Sequence, residues 1–190
     1  MMIMVKKLIF LLKIDSYKKN NLIFCSMRLE TKRTLIRNTE FRDYQGFFDI
    51  YKDEETANFA GLRKMLYVDE AKILLFRLQQ DPYVEIYSCF LKKTNELIGT
   101  ISISKTPLYG NFEIGYAILR KYRNQGFCFE ILDKLLKVFS NSHYVKQYQA
   151  IIKNNNVKSK RLIEKLGFKY VGHISLRNDL IYTKLILSRS

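Results

Sequence analysis

Apolar and polar positions change their period along the chain, and the changes mark out elements. Between Phe127 and Ser140, apolar residues fall at Phe129, Leu132, Leu136 and Phe139. Spacings of three and four place them on one stripe of a helix. Just upstream, residues 112–118 are short, apolar and preceded by Gly110-Asn111, the pattern of a strand. Nearer the start, 33–37 alternates and is β-prone. Asp43 is placed to cap a helix running to about Asp53, with Phe47, Phe48 and Tyr51 as its apolar material. Residues 54–67 carry no clear period and hold a turn at Gly61. Asp69-Glu70 opens a second helix bearing Ala71, Leu74, Leu75 and Leu78, which Asp81-Pro82 stops. Residues 84–91 and 97–104 read as a hairpin joined by Lys92 to Glu96, and the pair Thr106-Pro107 with Gly110-Asn111 marks the next turn. Asn141-Ser142 breaks the long helix. The strand 145–152 then shows Tyr148, Ala150 and Ile152 on one face. Asn156 caps a helix over 157–166 with Leu162, Ile163 and Leu166 inward, and Gly167 ends it. Strands at 168–172 and 180–187 close the chain. This order predicts one α/β domain, with a mixed, mostly antiparallel sheet of six or seven strands and helices on both faces.

Composition narrows the class. A chain of 190 residues with 47% hydrophobic content suits a single domain with a sizeable core. The formal charge of +15 favours polyanionic partners such as RNA, a ribosomal surface or a phosphorylated coenzyme. No zinc-finger or helix-turn-helix spacing supports direct nucleic-acid reading. The three cysteines, Cys25, Cys89 and Cys128, are neither a disulfide framework nor a metal knuckle. They fit a reducing, cytoplasmic setting. Two histidines, His143 and His173, are too few for a histidine metal site, so no metal is expected. Residues 1–27 stand apart: a basic start, a short apolar run, then Lys13 and Asp15. The run is too short to cross a bilayer, and no membrane partner is expected. The segment is expected to be either a weakly ordered extension or an upstream start, with Met27 the natural one. Its five Lys and one Asp give +4, so the remainder is basic by itself at +11.

The candidate chemistry lies between the strand at 112–118 and the helix that follows. The connection is Arg123-Asn124-Gln125-Gly126-Phe127-Cys128. A strand entering a helix through such a turn leaves backbone N–H groups pointing one way, and the helix dipole adds to their pull on an anion. Gly126 lets the chain approach a phosphate closely or take a dihedral that other residues resist. Lys121 and Arg123 add positive charge. A structural β–turn–α unit carries the same residue types, so this segment alone leaves both readings open.

The segment also resembles the acyl-CoA core of the GCN5-related N-acetyltransferases, and within them the Rim-type ribosomal-protein-alanine enzymes. Arg123 and Gly126 match that family's pyrophosphate loop, with Cys128 where Gly or Ala is usual. Glu113-Ile114-Gly115-Tyr116 matches its fourth strand. A second match is Asn156-Val-Lys-Ser159 followed by Glu164-Lys-Leu-Gly-Phe168, and the opening Glu30, Thr31, Arg33 and Arg37 is a third. The resemblance covers about residues 28–172. It implies acetyl-CoA as donor and a primary amine as acceptor, on a protein N-terminus or a small molecule. It implies cofactor contacts from Ile118 and Leu119, from Arg123 to Cys128, and from Asn156 and Ser159. Ile118 and Leu119 are expected to offer the N–H that meets developing oxyanion charge. Glu113 is the expected base, with a salt-bridged edge carboxylate as its alternative, and Ser159 or a tyrosine, Tyr170 or Tyr182, is expected to protonate the leaving thiolate. Phe59, Leu62 and Met65 border the implied acceptor site. Polyamine acetylation, ribosome association without catalysis, and a monomeric or homodimeric state stay open.

Overall fold

The computed structural model describes residues 27–106, 111–140, 146–175 and 178–185. The expectations placed on residues 1–26, on Cys25, on the turn at 107–110, on the Asn141-Ser142 break with His143, and on 186–187 lie outside the described residues. Strand β1 is Arg28–Glu30, β2 Thr34–Asn38, β3 Val84–Leu91, β4 Glu96–Lys105, β5 Asn111–Ile118, β6 Gln147–Lys153, β7 Lys169–Ile174 and β8 Asp179–Leu185. They form one sheet in the order β1-β2-β3-β4-β5-β6-β8-β7. Every neighbouring pair is antiparallel except β5 with β6.

The sheet thus has eight strands where six or seven were expected. The extra one is β1, whose three residues pair with the far half of β2, Arg28 facing Arg37. A strand of three residues is too short to show a period of its own. Residues 54–67, which carry no clear period, hold a further helix. Among the described residues there are five α-helices: α1 Tyr44–Tyr51, α2 Glu54–Phe59, α3 Val68–Gln79, α4 Phe127–Ser140 and α5 Val157–Lys165. Asp43 stands at the N-cap of α1, but its carboxylate does not cap that helix. It is taken by Arg37 (2.8 Å), Ser88 (2.8 Å) and the Glu40 N–H (2.9 Å), a buried network that locks the α1 entrance onto β2 and β3. Gly61 and Gly167 both take the left-handed conformation expected of them, at φ +71° and +86°.

The helices divide between the two faces. The face carrying α4 and α5 holds the larger core, where Ile131, Leu132, Leu135 and Leu136 meet Ile101, Ile114, Tyr148 and Ala150. Phe129 is only half-buried, and its ring takes the Lys165 ammonium at 4.6 Å. On the opposite face α1 and α3 pack over Ile86 through Phe47, Ala71 and Leu75. Ile50 of α1 meets Phe90, Leu97 and Ala117 there. Alternation along β5 therefore sends Ile114 and Ile118 to the α4/α5 side, and Ala117 to the α1–α3 side.

Candidate active site

The single parallel pairing in the sheet is short. It joins Asn111, Phe112 and Glu113 to Gln147, Tyr148 and Gln149 and then stops, although β5 runs on to Ile118 and β6 to Lys153. Past Glu113 the strands part and leave a wedge. The β5–β4 bonds settle which groups face it. Thr106 N–H donates to the Asn111 carbonyl (3.0 Å) and Leu119 N–H to the Ile98 carbonyl (2.8 Å). Hydrogen-bonded positions alternate in an antiparallel pair. Glu113, Gly115 and Ala117 therefore turn their backbone to β4, and Ile114, Tyr116 and Ile118 turn theirs to the wedge. Ile118 keeps the place expected for an oxyanion donor. Leu119 does not, because its N–H is spent on Ile98.

The turn entering α4 sits at the wide end of the wedge. Asn124 (φ +59°) and Gly126 (φ +79°) take left-handed conformations on either side of Gln125. Such alternation gathers consecutive N–H groups into an anion-binding concavity, which the first turn of α4 extends through Phe127 and Cys128. Three clasps hold the turn. The Arg33 N–H and Nε reach the Glu130 carboxylate (2.9 and 2.7 Å). Its Nη1 donates to the Gln125 carbonyl (3.0 Å), and its guanidinium lies 4.0 Å over the Phe127 ring. Lys121 Nζ and the Tyr122 hydroxyl both reach Glu96 at 2.5 Å and lower its pKa. Arg123 binds the start of α2, with Nη1 on Glu55 (2.6 Å) and Nη2 on Asp53 (2.6 Å). Lys121 and Arg123 are thus neutralised by carboxylates, and the pull on an anion comes from the backbone. The Arg123 N–H is also spent, on the Arg120 carbonyl (3.2 Å).

On the α4/α5 side of the wedge, Tyr116 meets the first turns of both helices. Its hydroxyl is buried against Ser159 and Cys128, and burial raises its pKa. Ser159 opposes that shift through a side-chain contact, although the contact lies outside ordinary hydrogen-bond geometry. Ile114 and Ile118, the neighbours of Tyr116 on the same face, are plain hydrocarbon. In the sequence Tyr116 stands within the fourth-strand match with no role attached. Its period-two relation to two apolar neighbours was the available signal, since a phenol on a buried stripe asks for a partner. Asn156 Oδ1 accepts the Ser159 N–H at 3.1 Å and so caps α5. Burial pushes the Cys128 thiol up to about 12, which leaves it a neutral packing group and a poor nucleophile.

On the α1–α3 side, Glu113 stands at the narrow end of the wedge. It lines a cavity of about 100 Å³ with Phe59, Ala60 and Gly61 from the end of α2, Ile151 and Lys153 of β6, and Asp179 of β8. Gln149 Nε2 lies 3.5 Å from the Glu113 carboxylate. Phe59 is thus a wall of this cavity, whereas Met65 is buried under α1 and α3. Tyr182 is not brought to the site's centre. It is 3% exposed, and its hydroxyl points to Glu164, near the far end of α5, at 3.4 Å. Among the described residues, no group of three or more His, Cys, Asp or Glu could hold a metal ion, and no helix is long and apolar enough to cross a membrane.

Residues 33–169 match the model of the acetyltransferase (GNAT) domain family. YoaA of Bacillus subtilis (strain 168), named an uncharacterized N-acetyltransferase, is 26% identical over 148 residues, spanning 76% of this chain and 84% of that protein. An acetyltransferase of the GNAT family from Bacillus anthracis superposes with a TM-score of 0.74 at 22% identity, covering 84% of this chain and 98% of that one. RimL, a ribosomal L7/L12 α-N-protein acetyltransferase solved with coenzyme A, superposes at 0.71 with 15% identity, covering 84% and 98%. At these identities the structural matches speak for the fold.

Proposed function

The chain belongs to the GNAT acetyltransferase family, and from that premise we propose that it moves an acetyl group from acetyl-CoA to a primary amine, most suitably a protein N-terminal α-amine. The observation that carries this reading is the wedge. It opens between a backbone anion cradle on the α4/α5 side and a carboxylate-lined cavity on the α1–α3 side. A long donor with a phosphorylated end and a reactive thioester end fits that arrangement, reaching through the sheet to an amine on the other face.

Each part has a defined task. The cradle from Asn124 to Cys128 takes the diphosphate. The wedge edge of β5 offers backbone donors and acceptors to the pantetheine arm, and the Ile118 N–H stands ready for charge developing on the thioester oxygen. Glu113, in the acceptor cavity, takes the proton that the attacking ammonium must lose. The Tyr116 and Ser159 hydroxyls face the sulfur as the carbon–sulfur bond breaks. A thiolate leaves readily, because its conjugate acid has a pKa near 8.5. Tyr116, held neutral by burial, therefore serves as a hydrogen-bond donor to the sulfur and keeps its proton. Orienting donor and amine in one site supplies much of the rate.

Two arguments favour the α-amine. Its pKa near 8 leaves a useful neutral fraction at pH 7, whereas a lysine or polyamine amine near 10.4 does not. The positive field of the chain as a whole opposes a polycation. The fold shared with RimL, which acts on the L7/L12 terminus, supports the same choice. Thiol release from acetyl-CoA should be measured against N-terminal peptides, lysine peptides, polyamines and small amines. Turnover is expected with the N-terminal peptides. Turnover confined to polyamines or small amines would overturn the acceptor class and leave the donor chemistry standing.

A further inference from the structure

Arg123 occupies the position that opens the phosphate-binding turn, yet every nitrogen of its guanidinium is engaged elsewhere. Nη1 meets Glu55 at 2.6 Å. Nη2 meets Asp53 at 2.6 Å and also reaches the Thr56 hydroxyl. Nε donates to the Ile118 carbonyl at 3.3 Å. The side chain is 20% exposed, so this is no solvated surface pair. Arg120 adds a second contact to Asp53 at 3.2 Å. The groups so gathered are the N-cap and first turn of α2, and its last turn runs into Phe59, Ala60 and Gly61, the wall of the acceptor cavity.

We propose that Arg123 is a positioning residue for the acceptor cavity: it grips α2 at its first turn and thereby sets the wall that faces Glu113. This inference rests on the acetyltransferase reading above. A helix of six residues does not hold its own shape in water. In α2 only Thr56 and Ala57 are buried, so apolar packing does little to fix it. The clasp therefore supplies its placement, and a rigid helix about 9 Å long passes any shift at one end to the other. The same guanidinium holds the wedge-facing carbonyl of Ile118, so one side chain joins the donor channel to the acceptor wall. Burial alone would raise the pKa of Asp53, but hydrogen bonds from Thr56 and Arg123 outweigh it and hold the carboxyl at about 2. The clasp is accordingly charged on both sides through the whole working pH range.

The test separates donor from acceptor kinetics. Arg123→Gln is expected to raise the acceptor KM roughly ten-fold and to raise the Kd for acetyl-CoA by a clearly smaller factor, since the same clasp also braces the turn. Asp53→Asn should do the same, and the double variant should be little worse than either single one, because both break one interaction. Thr56→Val keeps the side chain's shape and both charges but removes the hydroxyl that touches Asp53 and Arg123, and it should shift the acceptor KM in the same direction by a smaller factor. It carries the test if the charge variants do not fold. A roughly ten-fold loss of acetyl-CoA affinity with an unchanged acceptor KM would make Arg123 a donor-site residue and overturn the proposal. An unchanged acceptor KM in Thr56→Val or in Arg123→Gln would overturn it equally. Absence of thiol release in the wild type would instead strike the acetyltransferase reading itself.

Discussion

Glu113 stands at the last register that β5 and β6 share, so its side chain lines the proposed acceptor cavity where the backbone begins to open. Glu113→Gln keeps the shape and removes the base. It should lower kcat by about 10²–10⁴, read from steady-state rates of thiol release with a saturating acceptor. An unchanged rate would return Glu113 to a structural carboxylate. Asp53 gives a second prediction, in stability. Its folded pKa of about 2 lies below the ordinary value of 3.8, so its contribution is fully present above about pH 4. It is lost as the pH falls toward 2. Urea midpoints across that window should drop more steeply for the wild type than for Asp53→Asn, and parallel slopes would contradict the clasp. Residues whose role is local were legible in the sequence. Gly126 and Asn156 were among them, because a turn dihedral and a helix cap depend on near neighbours. Arg123 was legible as a position in a motif but not as a partner of Asp53, since nothing local marks an ion pair across 70 residues. Tyr116 stayed hidden for a related reason: its meaning lies in what surrounds a hydroxyl, not in its spacing.

Seven of the eight strands and the two motif helices were visible from periodicity to within two residues at either end. Their alternation is clean because one face or both are buried. Elements below that threshold were not visible. β1 has three residues and α2 has six, and each takes its shape from contacts with distant segments. The wedge was also beyond reach, because a splay between strands is a property of a pair. Only the resemblance to a known family anticipated it. At this scale α5 offers a test of its own. Asn156 caps it through the Ser159 N–H, and Asn156→Ala should cost about 1 kcal/mol in stability. The same change loosens the turn that presents Ser159 beside Tyr116. A loss of kcat larger than the loss of stability implies is therefore expected, read by comparing the rate well below Tm with the denaturant midpoint. A normal kcat in the destabilised variant would separate Ser159 from the chemistry.

The whole molecule divides its work by sheet face. The larger core under α4 and α5 holds the proposed anion cradle and the Tyr116–Ser159 corner, and the α1–α3 side carries the proposed acceptor cavity. Both border the gap between β5 and β6. The net charge of +15 suggested a cationic cradle, but the cations at the turn are each matched: Arg33 with Glu130, Lys121 with Glu96, Arg123 with Asp53 and Glu55. Those pairs brace the turn and leave the anion to backbone N–H groups, whose aim depends on the left-handed Gly126. A side chain at that φ is strained, and its Cβ would come within 3.5 Å of Arg33 Nη2. The most direct measurement is a calorimetric titration of acetyl-CoA into the wild type and into Gly126→Trp. Saturable one-to-one binding is expected in the wild type, weakened by roughly ten-fold or more in the variant. Equal affinity in both proteins, or no binding in the wild type, would contradict the account.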